Sequence, residues 1–173
     1  MRKTMAILFC IILAAGLTAC GGDGSDFEGT YEVTKHTLND TACDVEGPEV
    51  TGGDAFFKLQ MGDLMGFAIL EYYSCTSATE CEEYSDLFKS FAKLQGKWRI
   101  ETQMASGWDT ECNISEAQGV LEKTDLGVKL EIRTTQAAIT LTGTEECDTD
   151  LVDKYSSQMV CGEYEVIEAT KLE

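Results

Sequence analysis

From Phe27 onward apolar and polar positions alternate two by two, a period that predicts a chain built chiefly of strands. "FEGTYEVTKHTL" (Phe27 to Leu38) is rich in strand formers and sets Tyr31 and Val33 on one face. "TACDVEGPEVTGGD" holds the only proline, Pro48, and a Gly52-Gly53 pair, and reads as loop. "AFFKLQ" and "LMGFAILEYY" then form a predicted hairpin around Met61–Asp63, with Gly66 at a bulge or close approach. "KWRIETQM" alternates through Trp98, Ile100, Thr102 and Met104, and "ASGWD" supplies a turn. Leu126, Val128, Leu130 and Ile132 face one way, Lys129, Glu131 and Arg133 the other, and Ile139 and Leu141 repeat the pattern. Turns are expected at Asp125–Gly127 and in "TQAA" near Gln136. "EECDTDLVDKYSS" reads as an acidic loop, and "YEVIEATKL" as the closing strand.

One stretch changes period. Tyr84, Leu87, Phe88, Phe91 and Leu94 recur at helical spacing, Thr79 and Glu82 stand at capping-box spacing, and Gly96 follows as a stop. These signals predict an amphipathic helix near 80–95 whose stripe packs on the core. The fold class expected is mainly β, with no strand–helix–strand rhythm. It is an antiparallel meander of about nine strands, closing as a β-barrel or sandwich, with that helix as the α component. Residues 27–173 are expected to form a single domain.

The N-terminus has a different character. Met1-Arg2-Lys3 is basic, Met5 to Leu17 is an apolar run too short for a permanent span, and Leu17-Thr18-Ala19 precedes Cys20. This resembles the lipobox of bacterial lipoproteins. The resemblance implies removal of residues 1–19, lipid attachment (diacylglycerol and a further acyl chain such as palmitate) at Cys20, and a lipidated flexible tether over 20–26. Gly21 stands where the pattern uses aspartate for inner-membrane retention, so the resemblance implies an outer-membrane location, on either of its sides.

Composition sharpens the picture. Without Arg2 and Lys3 there are 11 basic against 31 acidic side chains, a formal charge of −20 that disfavours nucleic acid and anionic lipid. Six cysteines remain beyond Cys20, an even number that reads as three disulfides with about 15 possible connectivities. They contain no Cys-x-x-Cys pair and only His36 accompanies them, so no zinc or redox site is expected. If the first and last strands pair antiparallel, Cys43 falls beside Cys161, and strand alternation brings Cys112 and Cys147 to the same rim. Cys75 and Cys81 then pair locally. Because all six gather at one end, exchanged partners remain open at this point.

Candidate chemistry is sparse. No nucleophile elbow, zincin motif or phosphate-binding glycine loop is present, so no catalytic residue, metal or cofactor is expected and the chain is read as non-enzymatic. An acidic hydrolase needs two carboxylates at a fixed separation with one kept protonated, which sequence spacing does not supply. Glu145, Glu146, Asp148, Asp150 and Asp153 carry oxygen ligands, but without the glycine and closing glutamate of a calcium loop they read as solvated. Gly29-Thr30-Tyr31 resembles the Gly-x-aromatic opening of lipocalin and calycin barrels, a resemblance that implies a small apolar ligand inside. Tyr72, Tyr73, Trp98 and Trp108 are the aromatics available to line such a pocket, or to fill the barrel instead. The expected function is that of a lipid-anchored envelope module, structural or binding a protein partner. A carrier of a small apolar ligand is the alternative.

Overall fold

The computed structural model describes residues 24–172 except 109 and 144; the side chains of Leu87 and Trp108 are also outside the description. The expected signal segment and Cys20 lie outside the described residues. Eight antiparallel strands close into a barrel in chain order. They are β1 (Gly29–Asn39), β2 (Phe56–Leu64), β3 (Phe67–Cys75), β4 (Asp86–Leu94), β5 (Lys97–Trp108), β6 (Glu111–Lys123), β7 (Gly127–Thr140) and β8 (Val160–Lys171). Closure is the pairing of β1 with β8, from Tyr31 opposite Lys171 to Asn39 opposite Tyr164. It removes both exposed edges of the meander.

The hairpins β2–β3, β4–β5 and β6–β7 share the lower end with Gly24–Phe27; the longer connections occupy the upper end. All three disulfides join segments at the upper end: Cys43 with Cys161, Cys75 with Cys81, and Cys112 with Cys147. The first ties the segment after β1 to the start of β8, and the third holds the 141–159 connection against β6.

Apolar side chains from all eight strands meet in the lower half of the barrel. Tyr31, Phe57, Leu59, Leu70, Tyr72, Phe91, Trp98, Ile100, Leu121, Leu130 and Ile167 form one buried cluster. Eight strands enclose an interior just wide enough for side chains to fill. Phe57 stacks between Tyr31 and Tyr72, at 5.1 and 5.0 Å between ring centroids.

In the upper half burial changes sides. Cys112, Ile114 and Ile139 have the opposite strand parity to Leu121 and Leu130, so they lie on the outer face. There they are covered by Leu151 and Val152 of a short helix α1 (Asp150–Lys154). The expected acidic loop is thus partly helical, because its two apolar residues cover this patch.

Five further expectations are corrected. The helix near 80–95 is absent, and Asp86–Leu94 is strand β4, paired with β3. The Cys75–Cys81 bridge reverses the chain sharply, with Glu82 N donating to Ser74 O, so the following residues run back beside β3. The β2–β3 turn lies at Met65–Gly66 instead of Met61–Asp63. The strand β5 continues through "ASGW", and "TQAA" is not a turn but the middle of β7. Gly24, expected in a free tether, is buried against Met61 and Trp98, where an added Cβ would come within 2.5 Å of each.

Candidate functional site

The polar part of the barrel interior lies above the aromatic core. Alternation from Ile167 puts Glu165 and Glu163 on the inner face of β8, and the register of β1 on β8 adds His36 opposite Ile167. A bulge between Val33 and Lys35 makes this possible, since it shifts the parity of β1 and turns His36 inward. Glu165, 6% exposed at its side chain, accepts from Lys89 Nζ at 2.9 Å and lies 2.8 Å from His36 Nε2. Lys89 also stands 5.7 Å from the centre of the Tyr72 ring, within cation–π range. Gly53 leaves room for the imidazole, because a Cβ there would fall 2.7 Å from His36 Nδ1.

The electrostatics follow from burial. Desolvation, reinforced by the charge of Glu165, pushes Glu163 above the ordinary carboxylate range, against the opposing pull of Lys89 and His36. Burial pushes the Tyr72 phenol well above its usual value, with Asp54, Glu165 and Asp86 adding to it. Chemically the cluster holds two carboxylates, one ammonium and one imidazole: Glu165 contacts Lys89 and His36 directly, and Glu163 interacts with all three through charge. Glu165 is the hub of this network, bonded to Lys89 and in reach of His36 inside the barrel.

Beside this cluster the barrel wall is thin. Among the described residues, the register of β4 on β5 runs only from Ala92–Arg99 to Leu94–Lys97, although β4 extends up to Asp86 and β5 to Trp108. Phe88 on β4 and Met104 on β5 are exposed along this stretch, and Tyr84 is exposed in the connection just before β4. That connection also carries Glu80, Glu82 and Glu83, all exposed.

Grooves also lie elsewhere among the described residues. One of about 410 Å³ on the outer face is lined by Arg99, Glu101, Glu131, Arg133 and Tyr164. Its charges are engaged: Tyr164 donates to Glu131, and Arg133 Nε donates to the Cys43 carbonyl. A second, apolar groove of about 210 Å³ runs over Phe67, Ile69, Ala92 and Leu94.

Of the aromatics expected to line a pocket, Tyr72 and Trp98 are part of the filled core. Tyr73 points outward and donates to Glu71 at 2.7 Å, and the side chain of Trp108 lies outside the described residues. In the acidic segment, Glu145 pairs with Lys154 and accepts from Thr142 and Tyr155. That set of donors, Lys154 foremost, holds Glu145 down at about 2. Sequence reasoning missed His36, Lys89, Glu163 and Glu165 as a group. The local signal was two glutamates, Glu163 and Glu165, on the same strand face as Ile167. No family model, curated protein or solved structure matches the chain.

Proposed function

We propose that this protein is a non-enzymatic lipoprotein of the bacterial outer membrane, anchored through Cys20, that receives a protein partner at the upper end of its barrel. The observation that carries the reading is the occupied interior. Tyr31, Phe57 and Tyr72 stand stacked where a calycin-like carrier would hold an apolar molecule. Recognition is therefore left to the upper end, where Tyr84, Phe88 and Met104 are exposed beside Glu80, Glu82 and Glu83. Apolar anchors ringed by acidic side chains suit a partner with a basic surface around an apolar contact.

The experiment is site-specific photo-crosslinking in living cells, with benzoylphenylalanine in place of Tyr84 or Phe88 and, as control, in place of Val120 on the outer wall. The expected result is a discrete protein adduct from the first two positions and none from the third. The alternative, a carrier of a small apolar ligand, is tested by native mass spectrometry of the exported domain before and after denaturation. A small molecule released on unfolding, with no adduct from position 84 or 88, would replace the present reading with the carrier.

A further inference from the structure

The lower end of the barrel carries a feature that the upper-end reading does not use. Met65, 85% exposed, and Leu126, 75% exposed, are the two most exposed aliphatic side chains among the described residues. Both sit at tips of hairpins that project from this end, β2–β3 and β6–β7. Turn chemistry does not explain Met65. Met65 has φ of 55°, a left-handed conformation that two-residue hairpins usually give to Asn, Asp or Gly. An unbranched apolar side chain is thus held out into solvent in a backbone conformation that disfavours it.

The second observation is the path of the chain. Gly24 is wedged into this same end against Met61 and Trp98, and Tyr31 Oη donates to the Phe27 carbonyl at 2.6 Å. Cys20 lies only four residues before Gly24, which at full extension is about 14 Å of chain. A lipid on Cys20 therefore brings the lower end of the barrel, and no other, to the bilayer. The headgroup layer on each side of the hydrocarbon is about 5–7 Å thick, within reach of the hairpin tips.

Charge selects the kind of surface. Lys97, Lys123 and Lys171 lie at this end, and Asp63, Glu122 and Asp125 alternate with them. That mixture suits zwitterionic headgroups, with ammonium groups near phosphates and carboxylates near choline or ethanolamine, rather than an anionic lipid surface.

We infer that the lower end of the barrel is a membrane-seating surface, with Met65 and Leu126 inserted among the headgroups of a zwitterionic phospholipid bilayer. The inference rests on the anchoring of Cys20 proposed above. It fixes the orientation of the domain, with the disulfide-braced upper end pointing away from the membrane.

The test uses full-length protein purified from bacterial membranes and reconstituted in phosphatidylcholine–phosphatidylethanolamine vesicles with brominated acyl chains. Variants Met65→Trp, Leu126→Trp and, at the upper end, Val160→Trp are compared with the parent, whose own tryptophans give the background. The expected result is loss of the added emission at 65 and 126 and none at 160. Intact mass reports acylation of Cys20 independently. Acylated protein quenched no more at 65 and 126 than at 160 overturns the seating and leaves the anchor standing. Unmodified Cys20 overturns the anchor, and the seating with it.

Discussion

Phe57→Ala separates a filled barrel from a ligand-binding one. The side chain is fully buried, and its ring is sandwiched between Tyr31 and Tyr72. Truncating a buried phenylalanine costs about 3–5 kcal/mol through lost transfer energy and the cavity left behind. Here the cost belongs near the upper bound. Two stacked contacts are lost together, and the neighbouring strands are fixed by closure, so the walls have little freedom to collapse. The expected loss is about 4–5 kcal/mol, a large share of the roughly 5–15 kcal/mol that holds a domain folded. Urea unfolding of the oxidised soluble domain reads it as a lower midpoint at unchanged slope. Tyr73→Ala, which removes an outward ring from the same strand as Tyr72, is the control and is expected to cost about 1 kcal/mol or less. A Phe57→Ala loss under about 1 kcal/mol would mean that the ring lines open space, and the argument from an occupied interior would fail.

Lys89→Met leaves Glu165 buried with His36 alone. Breaking a fully buried pair costs about 3–5 kcal/mol, and the partial exposure of Lys89 reduces this to about 2. Adding Glu165→Leu is expected to recover most of the loss in thermal melts, and a simple sum of the two single losses would refute the coupling. Glu145 and Glu163 are shifted in opposite directions and give opposite pH dependences. Glu145 is held down at about 2, so its contribution is present above the usual carboxylate range and is lost as pH falls towards 2. Glu145→Gln should flatten that acid limb of the urea midpoint. Glu163 is shifted upward, so its stabilisation is complete below its ordinary value and is lost as pH rises through the shifted one. Glu163→Gln should therefore raise the midpoint at pH near 7 and leave it unchanged near 4; an equal rise at both would refute the assignment. Replacing each cysteine pair by serine should rank by loop length. The separations of 118, 35 and 6 residues predict losses of about 5, 4 and 2 kcal/mol from the chain-entropy term. Equal losses for the longest and shortest loops would refute that account.

What was legible in the sequence follows from where each strand's partner lies. The alternation of Val128, Leu130 and Ile132 is legible because the interior they face is apolar along its lower half. The same strand misleads a few residues later, where the buried parity moves from Ile132 to Ile139. Read locally, that slip of one residue looks like a turn. In the folded chain it marks the height at which the interior becomes polar and α1 covers the outside instead, a contact made by residues about 12–20 positions further on. The misreading of β4 has a related cause. Lys89 sits on the same strand face as Phe91, and an inward lysine breaks the two-residue period, so Phe88, Phe91 and Leu94 fall into helical spacing by default. What makes that lysine tolerable inside a barrel is Glu165, contributed by the last strand 76 residues away. A buried charge and its counter-charge from a distant strand leave no shared local pattern. The site and the error in the secondary structure are therefore one fact: the sequence is least readable where the barrel carries its interior charges.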